Sequence, residues 1–231
     1  MFGKAGYLFK NKKRSLGQVY NYSYQTHKGT FGQRVHEGEQ NTFYYNAIFQ
    51  EDINTKNSLK LGASLQVDDF EESLFSNTLN FDLYARHTQE WIPGVFAEYV
   101  LDPSEKMTIV AGLRADYNSL FENVFVTPRL NIKYDVAKNT TLRLAGGRGQ
   151  RTPIVINETQ SVLASSRVYN FNNYGELQPE VAWNMGASIS QNVVLGEKLL
   201  KLNADAFYTW FESKLIADLD ADPTQAVLLN T

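Results

Sequence analysis

From Val124 to Val136 the chain alternates without a break: Val126, Leu130, Ile132, Tyr134 and Val136 point one way, and Phe125, Thr127, Arg129, Asn131, Lys133 and Asp135 the other. A period of two is the signature of a β-strand, whose successive side chains leave opposite faces. The pattern recurs near residue 60, where Leu59, Leu61, Ala63, Leu65 and Val67 oppose Lys60, Gly62, Ser64 and Gln66. It recurs near 110, with Met107, Ile109, Ala111, Leu113 and Ala115 against Thr108, Val110, Gly112, Arg114 and Asp116. Near 205, Leu200, Leu202, Ala204, Ala206, Tyr208 and Trp210 oppose Lys201, Asn203, Asp205, Phe207 and Thr209. One face is aliphatic and aromatic while the other carries charge, copy after copy. This constrains the chain to sheets with one apolar side, and it is how a membrane-spanning β-barrel reads in sequence.

Composition narrows the choice only in places. Nowhere do 18 apolar residues run together, which excludes a transmembrane helix. A barrel is compatible, because half of each of its strands faces water. Aromatics reach 13%, with 13 Tyr and 14 Phe, and such rings suit strand ends at a membrane interface. Cysteine is absent, which removes disulfide scaffolds and thiolate metal sites. A formal net charge of −3 supplies no basic stripe for nucleic acid, so no nucleic-acid partner is expected.

Ten strands are predicted, at about residues 3–10, 16–25, 41–50, 57–67, 91–101, 105–117, 124–136, 139–149, 180–192 and 197–217, with an eleventh beginning at Ala226. The connections sort by parity. Short ones fall at Asn11–Ser15, Glu51–Lys56, Asp102–Ser104, Ala137–Lys138 and Val194–Glu197; long ones fall at Thr26–Gln40, Asp68–Glu90 and Gln150–Glu176. Tight turns on one rim and long loops on the other match the periplasmic and extracellular ends of outer-membrane barrels. His27, His36 and His87 are then expected on outer loops, in solvent. A soluble two-layer sandwich also alternates, but its strands rarely run to a dozen residues ending in Tyr, Trp and Phe, and its loops do not sort by length.

Two segments carry a resemblance. In GGRGQRTPIVINE, a glycine-rich strand end leads to Arg151, Thr152 and Pro153, with Glu158 following; in YGELQPEVAWNMGASIS, Leu177, Pro179, Glu180, Trp183, Asn184 and Gly186 stand at a strand entry. In that order and spacing they resemble the barrel of TonB-dependent outer-membrane receptors, particularly the Bacteroidetes type, and the hairpins from Trp91 onward are similar to the same barrels. The resemblance implies an all-β fold: an antiparallel transmembrane segment of about ten strands from a barrel of about 22. It implies one partial barrel domain over residues 1–231, with plug domain and TonB box lying outside this stretch. The implied partners are outer-membrane lipid, the plug, the TonB complex and a small-molecule or metal-chelate substrate. The implied function is active uptake of a ferric siderophore, haem, cobalamin or glycan. A passive porin-like barrel and a soluble carbohydrate-binding or glycosidase β-domain are the competing readings.

Pro153 and Pro179 cannot donate to a sheet ladder, so each marks a rim where pairing stops. Arg151 and Glu180 then stand on adjacent strand ends, where they are expected to pair or to brace a plug. Arg148, Arg151, Glu158, Glu180, Arg114 and Arg129 are the residues expected to face the plug or ligand. No catalytic, metal or cofactor site is expected. Catalysis would need carboxylates held together in a dry cleft, and nothing in the pattern provides one. Asp218, Asp220 and Asp222 copy the first ligands of a calcium loop, but Pro223 replaces its glycine and Leu229 its bidentate glutamate.

Overall fold

A computed structural model describes residues 1–170 and 178–230. Ten strands form a single antiparallel sheet in which nearly every strand pairs with its sequence neighbour. They are β1 (Phe2–Leu8), β2 (Arg14–Phe31), β3 (Arg34–Asn54), β4 (Asn57–Ser76), β5 (Phe81–Ser104), β6 (Met107–Asn118), β7 (Asn123–Ala137), β8 (Thr140–Arg151), then β10 (Glu180–Leu195) and β11 (Lys198–Ser213). Between β8 and β10 lies an excursion with a short helix α1 (Val155–Glu158), a 3-10 turn (Gln160–Ala164) and the strand β9 (Val168–Asn170). After β11 come β12 (Leu215–Asp218) and β13 (Gln225–Asn230), which join β9 in a separate three-stranded sheet.

The register fixes which residues share a face. Leu61 pairs with Ala97, Ala97 with Leu113, and Leu130 with Ala111 and Gly146, so the apolar sets of successive strands form one continuous surface. That surface is open: Leu61, Leu113, Leu130 and Leu202 are each 44–55% exposed. In a two-layer sandwich these four would share a dry interior, so the soluble reading does not hold. The opposite face carries Lys60, Arg114, Arg129, Lys133 and Asp205, and is the lumen side.

Three expectations need correction. Residues 26–40 and 68–90 are not loops. They are continuations of β2–β3 and β4–β5, closed by turns at Gly32–Gln33 and Asn77–Asn80. Gly32, at φ 61°, supplies the left-handed backbone that a two-residue hairpin turn demands. Apolar alternation fades in these stretches because charged residues fall on both faces, Asp68 and Glu72 on one and Asp69 and Glu71 on the other, while the ladder persists beyond the apolar band through cross-strand pairs such as Lys28 with Glu37 and His87 with Asp69. The strand starting near Ala226 exists as β13, but it does not extend the barrel wall. The expected strand at 197–217 likewise ends at Ser213, and Leu215 begins the small sheet.

The one hydrophobic core described lies at the long-hairpin rim. Val155, Ile156, Val162, Leu163 and Tyr169 of the excursion pack with Leu215, Ala226 and Leu228 of the small sheet against Leu74 of β4. Among the described residues the wall forms no further cluster of buried hydrophobic side chains, as expected where lipid covers one face and another body or water the other.

Candidate functional site

Where the excursion meets the lumen face of β3–β7, it closes a cavity of about 440 Å³. Its wall comes from side chains spaced two apart: Asp68, Phe70 and Glu72 on β4, Thr88, Glu90 and Ile92 on β5, and Arg114, Asp116 and Asn118 on β6. Its roof is Arg151 to Val155 with Pro179. The prolines stop the ladder at both ends of the excursion, so the chain leaves the sheet there and turns over the lumen face.

Polar contacts tie roof to wall. Glu72, 1% exposed, accepts the backbone N–H of Asn157 at 3.0 Å and contacts Nε2 of His36 at 3.1 Å. His36, also 1% exposed, holds its ring 5.1 Å from that of His27 at a tilt of 57°, and His27 meets Gln160 of the excursion at 3.0 Å. The expectation of solvated histidines therefore fails for His36, because the excursion that buries it comes from more than a hundred positions downstream. Glu90 accepts from Asn118 Nδ2 and Thr152 Oγ1, both at 2.5 Å.

Arg151 lies opposite Glu180 in register and reaches Glu180 Oε2 at 2.6 Å and Glu158 Oε2 at 2.6 Å. Glu180 is buried and its other oxygen accepts the N–H of Leu215, while Glu158 Oε1 accepts the N–H of Ile154. These three side chains thus join the barrel rim, the excursion and the start of β12. Arg114 donates to Asp116 at 2.7 Å and to Ser64 at 2.7 Å, with its guanidinium 5.8 Å from the centroid of Phe96. The Phe96 ring lies over Gly62, so a side chain at position 62 would have to displace that ring.

Two site residues stand apart from this cavity. Arg129 is on the lumen face further along β7, exposed and with no hydrogen bond or ion pair among the described residues. Arg148 does not face the lumen: it falls on the apolar side, where it pairs with Glu212 at 2.7 Å, and Trp183 Nε1 donates to the same carboxylate at 2.7 Å. The strict period of two carries Arg148 onto the face of Leu142 and Leu144, and the glycines around it obscure that parity in sequence. Leu177 of the second motif lies outside the described residues. Asp68, Glu72 and Glu90 were not singled out from sequence; their even spacing along β4 and β5 with Phe70 and Ile92 was the signal available.

Among the described residues no cluster of three or more His, Asp or Glu side chains is arranged to hold a metal. Burial pushes the Tyr169 hydroxyl above its ordinary pKa, with Thr159 opposing that shift and Glu72 adding to it. Hydrogen bonds from the Thr224 hydroxyl and backbone lower that of Asp222.

The sequence matches the family described as "TonB dependent receptor-like, beta-barrel" over residues 3–230. The chain belongs to that family. No curated protein sequence matches it. Among solved structures, it is similar in fold to the alcaligin outer-membrane receptor FauA of Bordetella pertussis, with TM-score 0.61 and 13% identity over 100% of this chain and 40% of that one. It is similar to the copper transporter OprC, with TM-score 0.60 and 14% identity over 94% and 38%. It is also similar to the siderophore receptor PirA of Pseudomonas aeruginosa, with TM-score 0.53 and 14% identity over 94% and 44%. The chain thus spans less than half the length of these proteins. It is a wall segment of an outer-membrane β-barrel, and the cavity sits at the rim with the long hairpins.

Proposed function

We propose that the whole protein is a TonB-energised receptor that imports a scarce small molecule or metal chelate across the outer membrane, without catalysing a covalent reaction. The observation that carries this reading is a two-faced wall whose lumen side is roofed at the long-hairpin rim by a packed excursion over a polar cavity. A bare diffusion pore has no use for a built chamber there. On this reading residues 1–231 form part of the barrel domain. A plug elsewhere in the polypeptide fills the lumen below the cavity and meets Arg129, and TonB acts on that plug from the periplasm. Arg151, Glu158 and Glu180 brace the excursion at the rim. Lipid covers the apolar face.

The test is a comparison of solute depletion from growth medium by the parent strain, a strain lacking this receptor and a strain lacking TonB function. The transport reading expects the same solute to persist in both mutant cultures. Depletion that needs the receptor but not TonB would instead establish a passive pore.

A further inference from the structure

The chamber at the rim carries more negative charge than its own cations neutralise. Arg114 is committed to Asp116, and Arg151 to Glu158 and Glu180, at 2.6–2.7 Å. The remaining cation of the lining, Arg86, stands across from Glu72 in the strand register. Three further carboxylates line the chamber, and two of them accept hydrogen bonds from neutral side chains. Asp68 accepts from Gln40 Nε2 at 2.9 Å and Thr42 Oγ1 at 2.5 Å, and Glu90 accepts from Asn118 and Thr152. Glu72, the third, is 1% exposed. Its Oε1 takes contacts from His36 and the Asn157 N–H, and among the described residues its Oε2 meets no hydrogen-bond donor. Gln150 Oε1, also at the lining, is a second buried acceptor without a partner.

Leaving a buried carboxylate oxygen and an amide oxygen undonated costs free energy that a protein ordinarily avoids. A chamber of about 440 Å³ lined by more carboxylates than paired cations is completed by N–H donors that carry positive charge. An anion entering it would face Asp68, Glu72 and Glu90, with the guanidiniums of Arg114 and Arg151 already paired to carboxylates. Phe70, Phe125 and Ile92 give such a ligand an apolar wall on which to lay its carbon chain.

We propose that this chamber recognises a cationic, N–H-rich group, an ammonium or guanidinium, on the transported molecule. The proposal rests on the receptor reading above and deepens it by assigning the substrate's charge class. Glu72, Asp68 and Glu90 are its recognition groups.

The experiment is calorimetric titration of the purified full-length receptor in detergent at about physiological salt, with no energy source, using spermidine, maltotriose and citrate as cationic, neutral and anionic probes. Spermidine is expected to bind saturably and to one site. Asp68→Asn, Glu72→Gln and Glu90→Gln should each weaken it about ten-fold, and Asp205→Asn, away from the chamber, should leave it unchanged. Because Glu72 is buried, heat-modifiable gel migration checks that its variant is folded, and the Asp68 and Glu90 variants carry the test if it is not. The proposal is overturned if spermidine shows no saturable binding, if the chamber variants bind it as well as the parent, or if citrate or maltotriose is the probe that binds. Binding in the purified receptor is independent of TonB, so this outcome is separable from failure of the depletion test.

Discussion

Arg148 of β8 and Glu212 of β11 are joined at 2.7 Å across the intervening strand β10, on the apolar face of the wall. Trp183 of β10 donates to the same carboxylate, so the pair is covered by an indole rather than left bare. The Arg148 guanidinium also donates to the carbonyl of Val126, which spans a fourth strand, β7. An ion pair facing lipid is stable only if both members are present, because a lone charge there is costly. Glu212→Gln and Arg148→Gln should therefore each destabilise the complete barrel, and the double variant should recover part of the loss. The coupling expected from a double-mutant cycle in urea unfolding is about 0.5–3 kcal/mol. Additive losses would show that the two side chains do not act together.

Ile156 is fully buried in the small core that fixes the excursion to the wall. Ile156→Ala removes that contact and should cost about 2–5 kcal/mol of local stability. The loss belongs to residues 152–170 and not to the transmembrane strands, so hydrogen exchange should accelerate in the excursion while β7 and β8 stay protected. Uniform acceleration would mean that excursion and wall unfold as one unit.

Tyr169 donates its hydroxyl to the carbonyl of Thr159 at 2.7 Å and has a pKa raised by burial. A raised pKa favours the neutral phenol in the folded state. Its stabilising effect is complete below the unfolded value of about 10 and declines as pH rises through the folded one. Subtilisin cleavage within residues 152–170 should thus increase above about pH 10. Tyr169→Phe should flatten that rise, since no phenol remains to ionise; an unchanged rise would place its cause elsewhere.

Much of the wall is legible because lipid and water impose opposite demands on alternate residues. Leu130 and Lys133 announce their faces from sequence, and so do Leu202 and Asp205. The hairpin extensions are not legible: from Asp68 to Glu90 charged and apolar residues are mixed on both faces, alternation disappears, and only the backbone ladder shows that the strands continue. The pairing of Arg151 with Glu180 could be inferred because two prolines mark the rim at the same height. The burial of His36 and Glu72 could not, since it depends on Asn157 and Gln160 arriving from a distant segment. The facing of Arg148 was missed for a different reason: a run of glycines gives no apolar partner by which to count parity.

A charge placed on the lipid side should be far more damaging than a charge removed from the lumen side. Leu130→Arg places a cation against hydrocarbon at an expected cost of about 2–4 kcal/mol near the midplane. It should lower the folded fraction of the complete receptor in outer-membrane preparations. Lys133→Gln should assemble as the parent does, because Lys133 is half exposed and among the described residues is bonded only to Asp135. Equal behaviour of the two variants would reverse or abolish the assignment of faces.

The central claim is that alternate residues of each strand meet lipid and lumen. Single spin labels placed in turn along β7 at positions 126 to 134, in the full-length receptor in bilayers, test it most directly. Relaxation by oxygen, which concentrates in hydrocarbon, should peak at Val126, Pro128, Leu130 and Ile132 and fall at Thr127, Arg129, Asn131 and Lys133. A strict period of two is the predicted result; oxygen accessibility that is flat along the strand, or highest at the charged positions, would contradict the barrel-wall account.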